Sequence, residues 1–176
     1  MTGDALKAIL KEIGRGKNAA RDISRDDART LFAAMLAGEV PPLQLGAALM
    51  AFRIKGESLD ELAGFLEASE ASYAHLQAPA RSVPLVIPAY NGARKLPNLT
   101  PLLAMLVARA DVPVLVHGVT RDAGRVTTGE VFAALGVMPA TSLVQAEKQL
   151  ATRNLAFVPI DTLAPSMAGM LAMRGE

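Results

Sequence analysis

Residues 112–137 read VPVLVHGVTRDAGRVTTGEVFAALGV and pass from an apolar segment through a polar loop into a helical pattern. The run 112–116 is short, continuous and rich in valine, which is typical of a strand buried on both faces of a parallel sheet. Runs of the same kind occur at 83–87 and 155–160, and helical patterns separate the three runs. This alternation predicts a right-handed parallel sheet flanked by helices.

The first 78 residues have a different sequence pattern, because their apolar positions recur at helical spacing throughout. Ser24 and Asp27 resemble a capping box at the start of a helix, and Ser58 and Glu61 form a clearer one. This part of the sequence therefore predicts a bundle of helices.

The helix that starts at Pro42 is apolar on almost every side between Leu43 and Phe52. Such a helix needs cover on several sides, and its default place is inside the bundle. Contact with a second subunit is the alternative, because Gly46 and the neighbouring alanines would let another backbone approach closely.

The predicted fold class is α/β. A small N-terminal all-helical domain, residues 1–78, is followed by part of a parallel α/β domain, residues 79–176. Three strands make a thin sheet whose edges have no evident cover, so we expect the chain to be a fragment of a longer protein.

Composition limits the chemistry. The chain has no cysteine, which excludes disulfides and thiolate metal sites, and its two histidines are far apart in sequence. We therefore expect no metal ion. The first helical segment is amphipathic rather than continuously apolar, and no later apolar run is long enough to span a bilayer. These patterns favour a cytoplasmic protein without membrane contact.

Charge is unevenly distributed. Residues 81–128 hold six basic side chains against two acidic ones. The basic ones are Arg81, Arg94, Lys95, Arg109, Arg121 and Arg125. Such a segment favours phosphate groups as partners, and an ordinary solvated surface is the alternative interpretation.

Ligands of open parallel sheets bind beyond the carboxyl ends of the strands, where two loops of this sequence are expected. In the loop after the first strand, Asn91 and Gly92 can form a tight turn that leaves Arg94 and Lys95 projecting together. Tyr90 is the one aromatic residue in these loops, so stacking on bases is not expected to dominate.

Several threonines stand near predicted helix starts in the same loops. Asn98 and Thr100 precede one helix, and Thr127 and Thr128 precede the helix that carries Glu130. The first backbone N–H groups of a helix can hold an anion. The alternative is that these threonines are N-caps without any ligand.

Together these segments resemble a known family. DISRDDARTLFAAMLAGEVPPLQLGAALMAFRIKGESLDELAGF, residues 22–65, is similar to the N-terminal domain of anthranilate phosphoribosyltransferase and its relatives in glycosyltransferase family 3. The resemblance extends through VLVHG and GRVTTGEVFAALGV and covers nearly all of the chain. It implies a small α domain, a larger α/β domain and homodimers formed through the α domain.

The first motif of that family is altered here. Working transferases carry a GTGGD loop after the first strand, whose backbone N–H groups surround the diphosphate of phosphoribosyl pyrophosphate. This chain has PAYNG, residues 88–92. Pro88, Ala89 and Tyr90 add side chains where glycine would leave bare backbone, and the proline removes a donor.

The other motifs are altered as well. An Asn-x-Ser-Thr element is represented by residues 98–101, and KHGN is represented by Val116, His117, Gly118 and Val119, which lack the lysine and the asparagine. Residues 125–129 stand in place of a serine-rich anion loop. The resemblance implies that the acidic pair for magnesium belongs to the second half of the family fold.

YNGARKLPNLTPLLA, VPVLVHG and GRVTTGEVFAALGV look instead like the divergent YbiB-like branch of the family. That resemblance implies a retained fold and dimer and an association with nucleic-acid binding.

The leading hypothesis is a catalytically divergent, dimeric member of this family that binds DNA or RNA without sequence preference, or a phosphorylated ligand, and uses no cofactor. The alternative is an active glycosyl or phosphoribosyl transferase that uses phosphoribosyl pyrophosphate and a non-anthranilate acceptor, and magnesium enters only in that case. His117 is the candidate catalytic residue, and its alternative role is structural, with the ring donating to a carbonyl at a strand end. The candidate ligand or phosphate residues are Asn91, Gly92, Arg94, Lys95, Asn98, Thr100, Gly118, Arg121, Arg125, Thr127 and Thr128.

Overall fold

The computed structural model describes residues 3–16, 18–80, 82–93 and 95–173. The elements in chain order are α1 Gly3–Ile13, α2 Arg25–Leu36, α3 Pro42–Lys55, α4 Leu59–Glu70, β1 Leu85–Ala89, α5 Thr100–Arg109, β2 Val114–Gly118, α6 Thr128–Ala134, α7 Leu143–Arg153, β3 Leu155–Pro159, α8 Ile160–Leu163 and α9 Pro165–Ala172. Over these ranges no helix combines the length and apolar character needed to cross a membrane.

The chain forms two compact units. One comprises Met1–Tyr73 with Ser166–Glu176, and the other comprises Ala74–Pro165. The sequence pattern predicts the boundary between the two domains at residues 78 and 79. The end of the chain groups with the helices because Met170 of α9 packs against the buried cluster of the helical unit.

In the helical unit, α2 and α4 lie with their backbones close together. A Cβ atom on Gly64 would stand 2.3 Å from the carbonyl oxygen of Arg25, so a larger residue would force the helices apart. Both predicted helix starts are confirmed. Ser24 accepts a hydrogen bond from the Asp27 N–H, and Ser58 and Glu61 form a complete capping box.

Glu61 does more than its capping position predicts. Its side chain is fully buried and accepts hydrogen bonds from the N–H of Ile23 at 2.9 Å, from the N–H of Ser58 at 2.7 Å and from Nζ of Lys55 at 2.7 Å. The Lys55 ammonium also donates to Asp22 at 2.6 Å. This network joins the start of α4 to the chain segment ahead of α2.

The expectation that α3 lies inside the bundle is wrong for half of the helix. Leu45, Ala48 and Phe52 are buried, whereas Met50 and Ile54 are 56% and 54% exposed. The buried side chains of α3 belong to one hydrophobic cluster, which they share with side chains of α1 and α2. An apolar face of α3 is left accessible.

In the second unit the three described strands are parallel, as predicted, and their order is β1-β2-β3. Two strands begin two residues later than the apolar runs, after Pro84 and Pro113, because proline cannot donate to a ladder. Pro88 is tolerated inside β1 because β1 is an edge strand of the described sheet.

Burial of all three strands on both faces is also a wrong expectation. β2 and β3 are almost entirely buried, but Leu85 and Val86 of β1 are 41% and 51% exposed. Edge position alone does not account for this difference, because β3 is also an edge strand of the described sheet. β3 differs from β1 in that α7 and α8 pack against it.

Candidate ligand-binding site at the carboxyl ends of the strands

The parallel register brings the ends of β1 and β2 to the same edge of the sheet. Pro88 pairs with His117, and Ala89 pairs with Gly118. A Cβ atom on Gly118 would stand 2.2 Å from the carbonyl oxygen of Ala89. Gly118 therefore allows the two strand ends to approach, and the loops that follow them start side by side.

The two loops are also bonded to each other. We call residues 90–99 the first loop and residues 119–127 the second loop. Ala93 and Val126 exchange two backbone hydrogen bonds, each 3.0 Å long, in an antiparallel bridge. A Cβ atom on Gly92 would stand 2.7 Å from the carbonyl oxygen of Val126, so Gly92 is needed where the backbones meet.

Asn98 strengthens this connection from the far end of the first loop. Its Nδ2 donates to the carbonyl oxygen of Val126 at 3.2 Å and to Oγ1 of Thr128 at 3.1 Å. Its Oδ1 accepts from the N–H of Thr100, the first residue of α5, at 3.3 Å. The amide of Asn98 is therefore committed to contacts within the protein.

Thr127 and Thr128 are buried. Thr127 is the N-cap of α6 and forms a capping box with Glu130, and its Oγ1 lies 2.8 Å from the carbonyl oxygen of Thr120. The hydrogen bonds from the N–H and side chain of Thr127, with a smaller contribution from the charge of Arg121, lower the pKa of Glu130. In this geometry Thr127 caps α6 and ties the second loop to it, whereas Thr128 is the first residue of the helix and its Oγ1 accepts from Asn98.

His117 lies near the end of β2 and is half-buried. Its Nδ1 is 2.7 Å from Oη of Tyr90, and the two rings meet edge to face with centroids 5.3 Å apart. Burial lowers the pKa of His117, so the imidazole is neutral near pH 7. The ring thus has a phenol as its partner, and not the strand-end carbonyl considered from the sequence.

The cationic candidates lie on the outer side of the bonded loops. Lys95 and Arg121 are exposed, and Arg125 is half-buried with its Nη1 donating to Oδ1 of Asn91 at 3.2 Å. Arg94 is outside the described residues. The structure therefore brings cations from both loops to one edge of the sheet.

Sequence reasoning missed two features of this edge, the pairing of Tyr90 with His117 and the bridge between Ala93 and Val126. Neither carries a local signal, because each joins residues that are distant in sequence. Within the described ranges, groups of three or more histidine, aspartate or glutamate side chains that could hold a metal ion do not occur.

Comparison with known proteins identifies the class. Residues 7–72 match the family described as glycosyl transferase family, helical bundle domain. The whole chain has the fold of an anthranilate phosphoribosyltransferase from Thermus thermophilus, with a TM-score of 0.76 at 24% identity over 98% of this chain and 51% of that one. An enzyme of the same name from Saccharomyces cerevisiae, solved in complex with PRPP and Mg, gives a TM-score of 0.73 at 12% identity over 99% of this chain and 51% of that one.

The chain belongs to the anthranilate phosphoribosyltransferase-like family. It is 49% identical over 169 residues to the uncharacterized protein YbiB of Escherichia coli K12, which covers 96% of this chain and 53% of YbiB. It is 39% identical over 122 residues to the anthranilate phosphoribosyltransferase of Sinorhizobium medicae, covering 69% of this chain and 36% of that protein. The chain spans about half the length of YbiB and of the two solved enzymes, and a smaller share of the Sinorhizobium protein.

Proposed function

We propose that this protein is a catalytically divergent member of its family that binds the phosphate backbone of nucleic acid through the two basic loops at the carboxyl edge of its sheet. The observation that carries the proposal is the antiparallel bridge between Ala93 and Val126. It commits one backbone N–H of each loop, that of Ala93 and that of Val126, to a hydrogen bond within the protein.

A diphosphate cradle needs free backbone N–H groups on a loop without side chains in the way. Here Pro88 has no N–H, and the N–H of Ala93 is bonded to Val126. Gly92, the glycine of PAYNG, is packed against the carbonyl oxygen of Val126, whose partial charge is negative. These features argue against a retained diphosphate site built from residues 88–93.

Exposed cations suit an extended polyanion better than a small enclosed one. Lys95 and Arg121 are exposed and Arg125 is half-buried, and together they can follow successive phosphates along a strand. Tyr90 is engaged with His117, which leaves little aromatic surface for bases. Contacts would go mainly to phosphates, so sequence discrimination would be weak. This mode of binding requires no metal ion.

The test is fluorescence anisotropy with labelled single- and double-stranded oligonucleotides over a range of salt concentrations. We expect affinity to fall steeply with salt, and each of Lys95→Ala, Arg121→Ala and Arg125→Ala to reduce the slope of log K against log salt by about 1.

Two arginines near the amino ends of the strands, away from the two loops, provide a matched control. Arg109 ends α5 and Arg153 ends α7, and both line one shallow surface beside the start of β3. Arg109→Ala and Arg153→Ala remove the same charge without touching the loops, so the slope should stay unchanged. An equal decrease of the slope for the loop variants and for the control variants would refute a loop-specific site. Binding that does not depend on salt concentration would also refute it.

An active transferase is the second candidate, and one observation favours it. His117 is neutral, half-buried and placed at the strand edge where an acceptor could be positioned. Calorimetry with phosphoribosyl pyrophosphate and magnesium tests this candidate, and His117→Ala and Arg125→Ala should weaken the binding. Absence of any heat with the intact protein excludes the candidate.

We also propose a homodimer formed through the N-terminal helices. The accessible apolar side chains of α3 and α4 are Leu43, Leu49, Met50, Ile54, Leu59, Leu62 and Leu66. An apolar area of this extent on one small unit is typical of a protein interface. A second copy of the chain is the partner that the family resemblance favours.

A further inference from the structure

We infer that Tyr90 holds His117 in the tautomer protonated on Nε2, and that this N–H donates to a phosphate oxygen of the ligand. The second half of the inference rests on the proposed function, whereas the first half concerns the protein alone. Tyr90 is thus a positioning residue, acting through His117.

The direction of the bond between the two side chains follows from their chemistry. A phenol with a pKa of about 10 is a good donor, and the unprotonated nitrogen of a neutral imidazole is a good acceptor. With Oη of Tyr90 at 2.7 Å from Nδ1, the phenol donates and Nδ1 accepts. The single ring proton of His117 is then on Nε2.

The second nitrogen of the ring is available to a ligand. Among the described residues, Nε2 of His117 has no hydrogen-bond partner. Every buried side-chain nitrogen or oxygen atom of the described residues does have a partner. Nε2 is therefore accessible to solvent. A donor that faces solvent at this edge needs an acceptor, and water fills that role until a ligand replaces it.

The position of the ring connects it with the cationic loops. His117 is one residue from the end of β2, and Tyr90 is one residue beyond β1, so both stand where the two loops begin. A phosphate held by Lys95 or Arg125 offers only acceptor atoms. An Nε2–H donor suits such a group, whereas an unprotonated Nε2 would repel it.

The tautomer is tested by NMR on uniformly ¹⁵N-labelled protein, using long-range proton–nitrogen correlations of the His117 ring near pH 7. We expect an unprotonated Nδ1 and a protonated Nε2. Tyr90→Phe should shift the ring toward a mixture of tautomers, and Tyr73→Phe, a tyrosine of the helical unit, should leave it unchanged. A wild-type ring protonated on Nδ1, or a ring unaffected by Tyr90→Phe, overturns the inference.

The second part of the inference, that the Nε2–H of His117 donates to a phosphate oxygen, is tested by titration with a single-stranded oligonucleotide and, separately, with inorganic phosphate. The Nε2 resonance should move with the oligonucleotide, and movement with phosphate alone at similar concentration would identify a free-anion site instead. His117→Gln, whose amide can reach the position of Nε2, should bind better than His117→Asn, whose amide imitates Nδ1. Loss of one hydrogen bond predicts a weakening of about 2- to 12-fold for His117→Asn.

The outcomes separate the two proposals. If the His117 ring is protonated on Nε2 but the protein binds no oligonucleotide, the proposed function and the donor role are both refuted. Salt-dependent binding with no response of Nε2 and equal affinities for His117→Gln and His117→Asn refutes the donor role and leaves the proposed function standing.

Discussion

Ala93 and Val126 exchange two backbone hydrogen bonds of 3.0 Å each and so join the loops that follow β1 and β2. Both loops start at the carboxyl ends of neighbouring parallel strands, which is where open parallel sheets bind their ligands. Their direct pairing consumes backbone donors that an anion would otherwise use. The side-chain groups that remain available to an anion are the loop cations and Nε2 of His117.

Gly92→Ala should weaken this pairing. The added Cβ would lie 2.7 Å from the carbonyl oxygen of Val126 and 2.9 Å from Cβ of Arg125, so one strand of the bridge must move. We expect a loss of roughly 1–3 kcal/mol in the free energy of unfolding and faster hydrogen exchange at the amides of Ala93 and Val126.

Gly124→Ala is the control for that change. It adds the same methyl group to the second loop, where the added carbon would lie 3.9 Å from an Asp122 oxygen. Urea denaturation should show little change for this variant. Equal stability of the two variants would show that the bridge contributes nothing measurable.

Stability should depend on pH through His117. Burial lowers the pKa of His117 in the folded protein, so the unfolded chain binds the proton more readily. The free energy of unfolding should therefore be highest above the unfolded pKa of about 6.5 and should decline as the pH falls below it, until the pH passes the lowered folded value.

His117→Gln should remove that part of the pH dependence, because glutamine does not titrate. His75→Gln replaces the second histidine of the chain and serves as the comparison variant. Chemical denaturation measured from pH 7.5 to pH 5 compares the three proteins. Superimposable profiles for His117→Gln and the wild type would contradict the expectation.

Glu61→Ala should be strongly destabilising. The carboxylate is fully buried, and its removal leaves Lys55, whose side chain is 6% exposed, with one carboxylate partner fewer and leaves the N–H of Ile23 unpaired. Breaking a buried ion pair from one side costs about 3–5 kcal/mol. Asp60→Ala, at the exposed neighbouring position, should change the free energy of unfolding by less than about 1 kcal/mol.

Charge on the accessible face of α3 should prevent dimer formation. Met50→Glu and Ile54→Glu alter side chains that are more than half exposed, so each monomer should still fold. Sedimentation equilibrium should give a dimer for the wild type and a monomer for the double variant. Arg53→Glu, an exposed position on the same helix, tests the effect of charge alone. A wild-type monomer at high concentration would exclude this interface.

The sequence predicted the fold through local patterns. The valine-rich runs at residues 112–116 and 155–160 indicated buried strands, and parallel pairing is confirmed for them. Ser58 with Glu61 indicated a helix start, and the complete capping box confirms it. Such signals are readable because they depend on neighbours within one turn or one strand.

The candidate site was predictable residue by residue, but its connections were not. The sequence pattern indicates Asn98 as a phosphate ligand, whereas its amide is bonded to Val126 and Thr128. Nothing in the sequence marks Val126 as the partner of Ala93. The same limit applies to α3, whose apolar pattern could not say which face would be covered.

By itself the sequence determined the helix starts and the parallel strands, because backbone preferences and side-chain periodicity act over a few residues. The altered glycine loop was implied by the resemblance of the sequence to its family. Only the tertiary structure decided that Tyr90 contacts His117, 27 residues away, and that Glu61 bonds to Ile23, 38 residues away. Those contacts depend on strand register and helix packing, which are set by the burial of the whole chain and not by any one segment.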